Sequence, residues 1–212
     1  MKLKLSLFIG VFVIALVGNT WAADKTSETL FKKAFQLFDQ SLAGDDSVTE
    51  KALESFKTLS RTYPDNPLFL AYQGSCNTLV GRDAWMPWNK MDYTEKGLDM
   101  IGKALRMLKP KHDQETIRGA PISVETRLVA LSTFSEVPKF FHHFEKAKAV
   151  LKALFQSPAF GASPPALQAQ VYWRAAKIAR MENKRAEESK YLRKILEIDP
   201  NGQFAQAARQ RL

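Results

Sequence analysis

The chain has 212 residues, of which 45% are apolar, and a formal net charge of +9 at pH 7. That length supports one domain with a sizeable core, and a single cysteine, Cys76, excludes an internal disulfide framework. The basic excess favours anionic surfaces or acidic partners, but the lysines and arginines alternate with glutamates along the chain, as on a solvated face and not as in a nucleic-acid-binding patch.

The N-terminus, MKLKLSLFIGVFVIALVGNTWAADK, opens on Lys2 and Lys4, is apolar from Leu5 to Val17 but for Ser6 and Gly10, and reaches small residues at Thr20 and Ala22. This is the order of a secretory signal peptide. Cleavage is expected after Ala22, because a cut after Ala23 would set bulky Trp21 where a small residue is required. The apolar run is shorter than the ~20 residues of a spanning helix, and no cysteine follows it to carry a lipid. Residues 1–22 are thus expected to form the signal and residues 23–212 a single domain. Its charge is +7: thirty-one basic residues less Lys2 and Lys4, against twenty-two acidic. One thiol in an exported chain suits the periplasm of a Gram-negative bacterium, with peripheral membrane contact open to a basic chain.

Strand signals are nearly absent, without alternating Val/Ile/Thr runs or Asn-Gly hairpins. Helical periodicity runs almost throughout. The spacing predicts helices over about 27–42, 49–62, 68–80, 93–108, 124–136 (or from near Glu115, with Pro121 kinking or delaying it), 138–156, 166–181 and 184–198, with a short one over 204–212. Ser47 or Thr49 is the expected cap of the second helix. Pro64, Pro67, Pro138 and the segment SPAFGASPP punctuate the series. Eight helices with short links pair as four hairpins, which makes the fold class all-α.

A weak internal period accompanies the pairing. Ala52, Phe56, Leu59 and Pro64 stand at offsets repeated by Lys146, Val150, Ala153 and Pro158, and by Glu188, Leu192, Ile195 and Pro200. Gly97, Ile101 and Ala104 follow, with Pro110 one residue late. Small positions admit a neighbouring helix, the large one fills the gap, and proline forces the turn. With ALESFKTLSRTYPDNP and YLRKILEIDPNGQFAQAARQRL as its best matches, the chain resembles the tetratricopeptide-repeat family, and Gly74 looks like the small residue of a first helix. The resemblance implies a right-handed solenoid of helical hairpins with a binding groove lined by first helices. The units are more than forty residues apart, and Lys146 and Glu188 replace small residues.

Catalytic constellations are scarce. No phosphate loop, nucleophile elbow or zinc motif is present, so no cofactor or metal is expected. His142 and His143 are adjacent and diverge on a helix; Phe140, Phe141 and Phe144 are expected to pack inward beside them. His112 lies in a loop next to Asp113, and Cys76 falls on an apolar face. Glu125 and Arg127, on the polar side of a helix whose Val124, Leu128 and Leu131 face the core, are expected either to meet Arg118 in a groove or to lie on a solvated face. GRDAWMPWNK reads as an insertion of about eleven residues between the third and fourth helices. Its Trp85 and Trp88 are expected to be partly buried, with Arg82 and Asp83 pairing beside them. Insertions of this kind fold over neighbouring helices or carry function.

These readings lead to a non-enzymatic periplasmic adaptor that binds an envelope protein or peptide in its groove. The alternative is a small-molecule or lipid-binding accessory of an envelope transport system. The expected groove residues are Tyr72, Gln73, Asn77, Glu125 and Arg127, with Tyr172 and Arg174 behind them, and Arg82, Asp83, Trp85 and Trp88 at the loop.

Overall fold

A computed structural model of the chain describes residues 20–212, with side chains from Thr26 onward. The apolar N-terminal stretch that carries the signal reading lies outside the described residues. The described chain is all-α apart from one small hairpin.

Helix α1, Thr20–Leu42, starts seven residues before the expected Ser27. The chain turns at Gly44 (φ +110°), a conformation glycine adopts without strain. The short 3-10 turn Asp46–Val48 then leads into α2, Thr49–Thr62. Neither Ser47 nor Thr49 caps α2; Asp45 caps the 3-10 turn, accepting from the Ser47 N–H at 3.1 Å. Helix α3, Pro67–Asp83, has Pro67 in its first turn, and the Asn66 side chain accepts from the Leu68 N–H at 3.0 Å.

Helix α4 spans Pro87–Arg106. The expected insertion is therefore not a loop. Its residues extend α3 to Asp83 and start α4 at Pro87, leaving three residues, Ala84–Met86, as the link. Proline supplies the fixed φ of a first helical turn and costs no hydrogen bond there, so Pro87 opens a helix where it seemed to interrupt one.

Strands β1, Thr116–Ile117, and β2, Ala120–Pro121, pair antiparallel. Arg118 (φ 52°) and Gly119 (φ 75°) form their turn. Two successive positive φ values are what a two-residue type I′ hairpin demands, and Arg118 bears the strain a glycine would not.

Helix α5 spans Ile122–Glu136, α6 Phe144–Gln156, α7 Pro158–Gly161, α8 Pro165–Met181, α9 Arg185–Ile198 and α10 Ala205–Arg211. Pro138 does not begin α6. It precedes a 3-10 turn, Lys139–Phe141, ended by His142 in the left-handed region (φ 55°). Phe140 consequently points outward, 59% exposed, against the expectation that it packs inward. The short α7 occupies the stretch read as an open loop.

Consecutive helices pack as the pairs α1–α2, α3–α4, α5–α6 and α8–α9, and α3 also packs on α2 and α5. The periodic positions are buried in α2, α4 and α9, where Ala52, Phe56, Ile101, Ala104, Leu192 and Ile195 reach 0% exposure. In α6 the buried stripe falls one residue later in part: Ala147 and Leu154 are buried while Lys146 is exposed. An aromatic core joins Phe31, Phe56, Phe69 and Tyr72 across α1, α2 and α3.

The links inside the pairs lie on one edge. The Arg82 guanidinium donates to the Ser41 carbonyl at 3.0 Å, and Thr49 Oγ1 donates to Asp83 Oδ2 at 2.8 Å, which joins the first two links. Lys148 near the third link donates to Glu182 of the fourth at 2.8 Å.

Candidate functional site

A groove of about 1010 Å³ runs between the helix pairs. Its walls come mainly from α1, α3, α5 and α8, the first helix of each pair, with the start of α4, the β1–β2 turn, the segment after α5 and the segment between α9 and α10. Helices α2, α6 and α9 form the back and contribute nothing to it. Phe35, Phe38, Leu79, Leu128, Val129 and Leu167 supply much of an apolar lining.

A polar cluster is set into that lining. Glu125 in the first turn of α5 is 2% exposed. Its Oε1 accepts from the Tyr72 hydroxyl at 2.8 Å and from Arg118 Nη2 at 2.7 Å. Its Oε2 is equally buried and has no hydrogen-bond partner. Burial raises the Glu125 carboxyl above its usual range, against the pull of Arg118 and the two hydrogen bonds. Burial, with the Glu125 charge next to it, also holds the Tyr72 phenol well above its ordinary value.

The β1–β2 turn exists to place Arg118. Its backbone N–H donates to Glu28 Oε1 at 3.1 Å, and its guanidinium lies 4.1 Å from the Phe35 ring centre and 4.9 Å from that of Phe31. Aromatic faces thus hold the cation that neutralises Glu125.

Tyr72 and Glu125, expected on a groove, line this one, and so does Arg82, which the sequence assigned to the loop. Arg174 joins them and pairs with Glu136 at 2.6 Å. Gln73 and Asn77 do not line it. Asn77 faces α4, buried, donating to the Gln73 carbonyl at 3.0 Å and approaching the Met100 sulfur at 3.4 Å. Arg127 also departs: half-buried, it donates to the Ser123 carbonyl at 3.3 Å, and burial lowers its pKa. Glu125 and Arg127 lie two residues apart, about 200° around a helix, so a helix covered on most sides sends them apart. Tyr172 packs on Phe155 and Phe160, with ring centres at 5.4 and 5.7 Å, outside the groove.

Asp83 belongs to the cross-link between helix pairs. Burial works against its charge, yet hydrogen bonds from Arg82 and Thr49 hold its carboxyl below the usual range. Trp85 and Trp88 are not tucked in; they are 84% and 64% exposed. His112, in a short 3-10 turn between α4 and the hairpin, is buried. Its Nδ1 accepts from the Lys109 N–H at 3.0 Å, and burial lowers its pKa. Cys76 is a buried free thiol, as its apolar face predicts. Among the described residues no group of three or more His, Cys, Asp or Glu is placed to hold a metal ion.

Phe35 and Phe38 read only as core stripe in the sequence. Their periodicity does not distinguish a core wall from a groove wall, because both are apolar. Comparison with known proteins finds no matching family model, curated protein or solved structure.

Proposed function

We propose that the chain is an exported, non-enzymatic, tetratricopeptide-like adaptor of the periplasm. It holds a peptide segment of an envelope protein in its groove. The observation that carries this reading is a groove of about 1010 Å³ walled mainly by first helices, apolar in much of its lining and with the Tyr72–Glu125–Arg118 cluster set into it. Such a wall takes apolar side chains, and the exposed Asp39 in the lining takes a basic group from the ligand; convergence of a few polar groups in an apolar cleft is the usual form of a binding site.

Panning a phage-displayed random peptide library against the chain tests it. Apolar sequences carrying a Lys or Arg are expected to be enriched. Binding of the selected peptides is expected to fall at least about tenfold on Ser132→Trp, which fills the groove from α5. No enrichment, or equal binding to that variant, overturns the proposal.

A second reading is a small apolar ligand or lipid, favoured by the aromatic wall of Phe35 and Phe38. A bound mass that native mass spectrometry detects on the wild type and not on Ser132→Trp supports it; an apo mass on both counts against it.

A further inference from the structure

Eight large apolar side chains stand exposed among the described residues. Leu30 and Leu212 lie elsewhere. The other six are Leu42, Trp85, Trp88, Met91, Phe140 and Met181. Leu42 ends α1, Trp85 is in the α3–α4 link, Trp88 and Met91 open α4, Phe140 follows α5, and Met181 ends α8. All six therefore sit at or close to the links inside the four helix pairs. None sits at the links between pairs.

We propose that this edge docks on an anionic lipid bilayer, with Trp85 and Trp88 seated among the head groups. Tryptophan suits that position because its ring is apolar and its N–H stays hydrogen-bonded at the wet boundary. Trp88 and Met91 are three residues apart on one face of α4 and present a joint surface. The six residues are strung along four successive links, not gathered into one desolvated pocket as the anchors of a protein partner are. The net charge, +7 once Lys2 and Lys4 are left out of the thirty-one basic and twenty-two acidic residues, complements an anionic surface. Three acidic groups of the edge are paired, Asp83 with Arg82, Glu136 with Arg174 and Lys177, and Glu182 with Lys148 and Lys184, whereas Asp45, Asp46 and Asp92 are exposed on it without an ion pair. No described helix is long and apolar enough to cross a membrane. Leu42, Met91 and Phe140 also line the groove, so the docked edge carries the groove's lip to the bilayer.

Flotation of the chain, as purified from cells, with vesicles tests this. One set contains phosphatidylethanolamine and phosphatidylglycerol, the other phosphatidylcholine alone. The chain is expected to float with the first set, weakly with the second, and less with either at high salt. Trp85→Ala/Trp88→Ala is expected to lower the partition coefficient at least about tenfold, and Phe140→Ser/Met181→Ser to lower it by a smaller factor. Any contribution of the N-terminal apolar run is common to all three proteins. Wild-type indole emission is expected to shift blue on vesicles and to be quenched by brominated lipid. Equal partition of wild type and Trp variant, or unshifted emission, overturns the proposal. So does a wild-type dimer in the ultracentrifuge that the Trp variant loses, which would make the edge a contact between copies.

Discussion

In α3–α4 the helices meet backbone to backbone, whereas in α8–α9 and α10 they are held by side chains. A Cβ on Gly74 would stand 2.6 Å from the Gly97 carbonyl oxygen, and one on Gly97 would strike the Gly74 carbonyl and lie 3.0 Å from the Thr78 nitrogen. At the position equivalent to Gly97, α9 has Glu188. It pairs with Arg211 of α10 at 2.5 Å, and that guanidinium lies 4.7 Å from the Trp173 ring centre. Trp173 also stacks on Phe204 at 5.5 Å. One spacing thus serves two ends. Within the stack it brings backbones close; at the last pair it becomes an anchor for the terminal helix.

The sharpest way to break this comparison is Gly97→Val. Backbone cannot yield as a side-chain tip does, so the cost is expected at about 3 kcal/mol or more, read by urea unfolding. Should it cost no more than Glu188→Ala, the two pairs do not differ in kind. Arg118→Ala comes next, at about 2 kcal/mol, because it leaves the buried Glu125 without its cation.

The Glu125→Gln variant sharpens the contrast between a buried and a surface carboxylate. A carboxyl raised on folding binds its proton more tightly in the native state. It therefore contributes stability below the unfolded pKa that is lost as pH rises towards the folded one. Wild-type stability relative to Glu125→Gln is expected to increase as pH falls from neutral into the carboxylate range, measured as the difference between their melting curves. A difference independent of pH would remove Glu125 from the account.

Glu188→Ala is expected to cost about 1 kcal/mol and to speed amide exchange in α10 ahead of the rest. Smallest of all is Trp85→Ala/Trp88→Ala, under about 0.5 kcal/mol, since both rings lie in solvent. A larger loss would mean that the edge supports the fold.

The all-α class and most helix ends were legible because apolar residues recur at the helical period, and because Pro67 and Asn66 mark a start with chemistry of their own. Tyr72 and Glu125 were found as polar residues flanking apolar stripes. Arg127 was misplaced because α5 is covered on almost every side, so its sequence lacks the single stripe from which a polar side can be inferred. The Arg118–Gly119 turn escaped for want of the Asn-Gly pair that usually announces it; Gly119 after an Ile-Arg pair was the available signal. Trp85 and Trp88 misled through composition: indoles suggest burial, but Pro87 between them starts a helix whose first turn faces water.

Cys76 is 0% exposed, and burial pushes its thiol far above the ordinary range. The thiolate that reacts with maleimides is thus withheld at neutral pH. The native chain is already a background for single-site labelling, with no cysteine to remove first. A fluorophore carried on Ser132→Cys reads the groove and one on Lys139→Cys reads the edge, so two single-cysteine variants follow occupancy of the two surfaces separately.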